Sequence, residues 1–236
     1  MNRKSKLAAA FLCGAVLLLA AMGIGRVEQV QMVSVQSLRQ RPTIILDPGH
    51  GGVDGGAQAN GVSEKEVNLA ISLQLRDLLS AQGFRVIMTR EDDRSIHDEG
   101  ITQISRQKRS DLYNRLAIIE DHPEAIFVSI HQNKFEQASS RGAQIFFSPN
   151  NPESQKLAQS IQETFVSLLQ PENTRQIKQA ENNLFLLYEA QIPAVMAECG
   201  FLSNPQEASL LQDQTYQQQV AFTIFCGLMD YLVAAE

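Results

Sequence analysis

The chain has 236 residues and a formal net charge of −6, from 20 Lys and Arg against 26 Asp and Glu. Residues 1–26 carry Arg3, Lys4, Lys6 and Arg26 and no acid, so the rest of the chain is net −10. An acidic body of that kind excludes a nucleic-acid surface, which needs clustered cations, and 44% hydrophobic residues exclude a disordered chain.

In chain order, the basic start is followed by an uncharged stretch, Leu7–Ile24. Eighteen helical residues span about 27 Å, enough to cross a bilayer. This pattern predicts a signal peptide or membrane anchor over 1–26, with the anchor favoured because Ala20-Ala21-Met22-Gly23 offers no clean cleavage site. The positive residues before the span should stay inside, placing the body outside. Residues 27–42 form a linker, and a single catalytic domain occupies 43–236. The body holds only Cys199 and Cys226, too few for a disulfide framework.

The body alternates β and α patterns. Thr43–Leu46 is a β-rich run. Ser63–Gln82 is a helix, with a Ser63/Glu66 capping box at its start and Gly83 as its stop. Phe84–Thr89 is a strand, 91–106 a polar loop, and Lys108–Glu120 a helix with Leu112, Leu116 and Ile119 on one face. Ala125–Ile130 and Gly142–Ser148 are strands. Glu153–Leu169 is a helix, 171–183 a polar loop, and Leu184–Tyr188 a short strand. Pro193–Ala197 is a strand, followed by helices over Asn204–Leu211 and Tyr216–Leu232. Such alternation predicts an α/β domain: a mainly parallel central sheet flanked by helices, preceded by the N-terminal apolar helix.

Chemistry in such sheets gathers at the carboxyl edge of the strands. His50, His131 and Glu198 each stand just past a strand, and Glu64 opens the helix after the first loop. Two imidazoles and a carboxylate are the ligand set of a catalytic zinc site with an open position. Zinc brings the pKa of a bound water to about 7, and a second carboxylate can move the proton as general base. Bland readings compete. A lone histidine at a strand end is more often a loop or core residue, Glu64 suits a helix N-terminus for electrostatic reasons, and Glu198 could pair with an arginine. No H-E-x-x-H spacing joins the candidates. The glycine-rich run 49–56 lacks the ending of a phosphate loop. His97 and His122 are expected at the surface, and Cys199 is a poor candidate nucleophile.

The segments Leu-Asp-Pro-Gly-His-Gly-Gly (46–52), Glu-Lys-Glu-Val-Asn-Leu (64–69), Met-Thr-Arg (88–90), Ser-Ile-His-Gln-Asn (129–133) and Glu-Cys-Gly-Phe-Leu-Ser-Asn (198–204) resemble the zinc-dependent N-acetylmuramoyl-L-alanine amidases of the amidase-3 family. The likeness runs from Thr43 to Leu232. It implies one Zn2+ held by His50, Glu64 and His131, Glu198 as catalytic base, and supporting roles for Asn133 and Arg90. It implies peptidoglycan as substrate, cut between the lactyl group of muramic acid and L-alanine. The apolar head, the absence of wall-binding repeats and the insert between Asp98 and Leu112 resemble most the germination-specific, CwlD type. That type implies a role in spore cortex and muramic-δ-lactam formation, a deacetylase acting on the product, a lipoprotein activator in some members, and a forespore intermembrane location. The short segment 132–141 leaves no room for an autoinhibitory helix. A zinc peptidase acting within the stem peptide, a non-catalytic wall-binding domain and a nucleotide-binding protein are the competing readings.

Overall fold

The structure, a computed structural model, describes residues 41–234. The signal or anchor expected over 1–26, and nearly all of the linker, lie outside the described residues. Among the described residues, no helix is long and apolar enough to cross a membrane.

Strand β1 (Ile44–Pro48) is buried throughout. A two-residue hairpin, β2 (Gln58–Ala59) and β3 (Val62–Ser63), leads into α1 (Glu64–Ala81). Then come β4 (Val86–Met88), α2 (Ile104–Glu120), β5 (Ile126–Asn133), β6 (Gln144–Phe147), α3 (Pro152–Thr164), a π-helical turn (Phe165–Leu169), β7 (Lys178–Gln179), α4 (Phe185–Glu189), β8 (Ala194–Phe201), α5 (Pro205–Gln212) and α6 (Gln214–Ala234). Six strands form one sheet in the order β4-β1-β5-β8-β6-β7. Every neighbouring pair is parallel except β6 with β8. This is the mainly parallel, helix-flanked sheet that the alternating pattern predicts.

Successive side chains of a strand face opposite ways, and the core divides accordingly. Ile44 and Leu46, Val128 and Ile130, and Val195, Ala197 and Cys199 face a layer containing Val67, Ile71 and Leu75 of α1, Leu157 and Ile161 of α3, and Ile224 and Leu228 of α6. Ile45, Phe127, Ala194 and Met196 face the thinner layer of α2 (Leu116, Ile119) and α4 (Leu186, Leu187). Each fully buried side chain of this size contributes about 1.5–3 kcal/mol by leaving water.

Helix α1 ends as its glycine predicts. Gly83 takes φ +83, its N–H donates to Ser80, and the Phe84 N–H donates to Leu79, the paired bonds of a left-handed cap. Its start differs from expectation. Ser63 occupies the N-cap position, but its hydroxyl makes no capping bond and is buried without a partner. Loop carbonyls replace the capping box: the Glu64 N–H donates to Ala57 and the Lys65 N–H to Gly55.

Three other expectations are corrected. Residues 185–189 are a helical turn, not a strand. Helix α2 starts four residues early, at Ile104, and Leu112 is exposed while Asp111 and Arg115 are buried. Strands β5 and β8 run through His131 and Glu198 rather than stopping before them. No helix stands between β5 and β6.

Candidate metal centre

Register places the first two candidate residues. His131 on β5 is the direct partner of Glu198 on β8, and Glu198 is in turn the partner of Gln144 on β6. The three side chains therefore leave the same face of the sheet in one row, the face covered by α2 and α4. Gly49 follows β1 beside this row. A Cβ there would collide with the His131 ring, so this position must be glycine for the imidazole to lie where it does.

His50 comes next and adopts φ +65, a left-handed conformation that a non-glycine residue keeps only when its surroundings hold it. Two buried guanidiniums do so. Arg115 donates to the carbonyls of Pro48 (2.9 Å) and His50 (2.7 Å). Arg90 donates to those of Pro48 (2.9 Å), Gly49 (3.1 Å) and Lys65 (2.8 Å). Arg115 also pairs with Asp47 and, at 2.7 Å, with Asp111. Burial alone would raise the Asp47 carboxyl, but the Arg115 charge and hydrogen bonds from Ser129 and Thr89 outweigh it and bring it down to about 2.

Glu64, the first residue of α1, is buried and joins both histidines. Its Oε1 lies 2.8 Å from His131 Nδ1, and its Oε2 lies 3.2 Å from His50 Nε2. Its oxygens also accept from the N–H groups of Ala57 (2.7 Å) and Gln132 (3.1 Å). Gly56, at φ +65, gives the Glu64 carboxylate and His50 ring their space, since a Cβ would strike both. Burial favours the neutral acid, yet the two imidazoles hold Glu64 well below the usual carboxylate range. For His50, burial is outweighed by Asp54 and Glu64, which raise it to about 9.

One donor atom each from His50, Glu64 and His131 fall within 4.8 Å of one another. Two imidazole nitrogens and a carboxylate, converging across about one ion's width, can hold a divalent metal. Glu198 stands beside them with Oε2 buried and without a hydrogen-bond partner. Burial raises its pKa to about 7, the nearby Glu64 charge adding to it and His131 opposing it. A buried carboxylate oxygen with no partner is expected where a water, a substrate or an ion completes the set. The cleft over these residues measures about 350 Å3. Leu112, Leu184, Phe185 and Met196 supply the apolar part of its wall.

The four chemistry-bearing residues named from sequence thus meet in one place. Arg90 and Asn133 do not line the cleft. Arg90 braces the His50 loop from below, and Asn133 lies past a register shift in β5, with its side chain accepting from the Lys134 N–H. His97 bonds to Ser95, and His122 lies 3.8 Å from Glu124, both away from the cleft. Burial pushes the Cys199 thiol up, as suits a core residue. Sequence reading missed Asp54, which accepts from His50 Nδ1 at 2.9 Å, and the Asp47–Arg115–Asp111 network. Asp54 had a usable signal, being four residues from His50 within the glycine-rich turn. Arg115 had none, because nothing local distinguishes a buried arginine in a charged helix.

Comparison with known proteins gives the family. The sequence profile of the N-acetylmuramoyl-L-alanine amidase family (amidase-3) matches residues 44–230. The chain is 39% identical to a germination-specific N-acetylmuramoyl-L-alanine amidase of Bacillus subtilis over 188 residues, 80% of this chain and 78% of that one. Among solved structures it resembles the CwlD amidase of Clostridioides difficile in complex with the GerS lipoprotein, at 42% identity and TM-score 0.79, covering 82% of this chain and all of that one. An N-acetylmuramoyl-L-alanine amidase from Clostridium difficile 630 is similar at 29% identity and TM-score 0.70, over 84% of this chain and all of that one.

Proposed function

The chain belongs to the amidase-3 family of N-acetylmuramoyl-L-alanine amidases, and from this we propose that it is a zinc enzyme cutting the bond between muramic acid and L-alanine with four residues that meet at one place. His50, Glu64 and His131 would hold the ion, and Glu198 would act as general base. The observation that carries this reading is the convergence of three donor atoms within 4.8 Å next to a buried, partner-free carboxylate oxygen.

When bound, zinc supplies Lewis-acid polarisation of the scissile carbonyl and makes water acidic enough to attack at neutral pH. Glu198 accepts the proton that this water loses as its oxygen bonds to the carbonyl carbon. Glu198 then delivers that proton to the nitrogen of L-alanine as the carbon–nitrogen bond breaks. The products are a lactyl carboxylate on the glycan and a stem peptide with a free amino terminus. A carboxyl raised to about 7 by burial is suited to accept and return a proton near neutral pH. The apolar wall of Leu112, Phe185 and Met196 keeps bulk water from the bond under attack and suits the methyl groups on either side of it.

The finer assignment is spore cortex modification. It is supported by the likeness to the germination-specific amidase of Bacillus subtilis. The lactyl carboxylate can close to muramic-δ-lactam once a deacetylase frees the neighbouring amine. A lipoprotein partner is included in the proposal, supported by the complex formed by the clostridial relative. Export by the 1–26 segment to the outer face of a membrane, in the forespore intermembrane space, completes it.

The test is digestion of purified peptidoglycan by zinc-loaded and chelator-stripped protein, with mass analysis of products. Stem peptides beginning with free L-alanine, formed only with zinc, are expected. Cuts inside the stem peptide would assign a peptidase instead, and binding without product would assign a wall-binding domain. Loss of δ-lactam from the muropeptides of a deletion strain tests the cortex role.

A further inference from the structure

His50 is held through its backbone by Arg115 and Arg90, but its ring is held by a separate device. Its Nδ1 lies 2.9 Å from Asp54 Oδ2. The other oxygen, Asp54 Oδ1, lies 2.7 Å from Lys108 Nζ, reaching across from α2. The Gly56 N–H makes a longer approach to the same oxygen, at 3.4 Å. Asp54 and Lys108 are one-quarter and one-half exposed, so the pair sits at the rim of the cleft.

We propose that Asp54, anchored by Lys108, is a positioning residue that fixes the tautomer of His50 and so presents Nε2 as a metal donor. This inference rests on the zinc reading above. An ionised carboxylate can only accept, so Nδ1 must carry a proton, and Nε2 is the nitrogen left to give its lone pair to a metal in place of a proton. Nε2 faces the Glu64 carboxylate, 3.2 Å away. A carboxylate behind a ligating histidine both orients the ring and increases its basicity as a ligand. Lys108 does more than neutralise charge. It decides which edge of residue 54 is the acceptor edge.

The consequence is specific. An asparagine at 54 has the same size but one edge bears an NH2. Lys108 and the Gly56 N–H both need an oxygen, so the NH2 is turned toward His50 Nδ1. Nδ1 must then accept, the ring proton moves to Nε2, and the donor is lost. Removing Lys108 as well leaves only the long Gly56 contact to set the orientation. The asparagine can then rotate and offer its oxygen to His50.

The experiment measures zinc dissociation constants by chelator competition for the wild type, Asp54→Asn, Lys108→Met and the double variant, with melting of the metal-free proteins alongside. Asp54→Asn is expected to weaken zinc binding about 10- to 100-fold, the usual effect of losing such a partner, with little change in the metal-free melt. Lys108→Met should bind zinc nearly as the wild type does, and the double variant should regain part of the loss. Equal zinc affinity in Asp54→Asn and wild type overturns the positioning role. Weakened binding without regain in the double variant overturns the part assigned to Lys108. A wild type that binds no zinc overturns the metal reading itself. If Asp54→Asn does not fold, nitrogen-15 NMR of the zinc-loaded wild type decides: a protonated Nδ1 on His50 supports the proposal, and a protonated Nε2 overturns it.

Discussion

His131 and Glu198 are register partners on adjacent parallel strands, one offering a nitrogen donor and the other a buried, partner-free carboxylate oxygen. Neighbouring strands lie about 4.8 Å apart, so the sheet itself sets the spacing between metal ligand and base. No loop needs to close to bring them together.

Replacing Glu198 by Gln should therefore separate binding from turnover. Zinc content should match the wild type, because Glu198 lies outside the three-donor cluster. Turnover of peptidoglycan should fall by about 10^2- to 10^4-fold, the range for losing a general base. A variant with near-normal turnover would remove Glu198 from that role.

His50→Ala should lose both zinc and activity, and elemental analysis is the direct check. Gly49→Ala is the subtler version. Its Cβ would occupy the space of the His131 ring, so the ring must move or the strands must part. Overpacking of this kind costs about 1–3 kcal/mol. Weaker zinc retention on dialysis, with all three ligands still present, is the expected result.

Arg115→Met should destabilise the protein by about 3–5 kcal/mol, the usual range for breaking a buried ion pair. The loss arises because Asp47 and Asp111 remain buried without their cation. Urea unfolding of the metal-free protein measures it.

Acid should weaken the fold through Asp47. Its folded pKa, about 2, lies below the ordinary 3.8. A depressed carboxyl stabilises the fold fully above the unfolded value and loses that contribution as pH falls from 3.8 toward 2. At about 1.4 kcal/mol per pH unit, the Asp47 share is about 2 kcal/mol. Unfolding free energies from pH 5 to pH 2 should show it as extra steepness, and Asp47→Asn should be flatter across that window.

Much of this was legible in the sequence because the informative features are local. Gly83 closes α1 through its own backbone angle, and β-branched runs mark the buried strands. Residues at strand ends fall on one edge of a parallel sheet whatever the details of packing, so His50, His131 and Glu198 could be gathered before any coordinates. The misses share a physical origin. The 185–189 turn is too short for periodicity to tell helix from strand. The Ser63 hydroxyl lost its capping role to carbonyls of a loop that folds back on the helix. On α2, apolar residues three and four apart suggested a face through Leu112, but the ligand loop docks against Lys108, Asp111 and Arg115 instead. Only tertiary structure reveals that this polar stripe is the docking face, with Asp111 and Arg115 buried.

That stripe makes the ligand loop part of the domain's cooperative unit. Lys108 and Arg115 grip residues more than fifty positions earlier in the chain, at Asp54, Asp47, Pro48 and His50. The loop therefore cannot fray as an independent flap, because releasing it means undocking α2. Amide hydrogens from 49 to 56 should exchange with solvent at the slow pace of the surrounding body, even with no metal present.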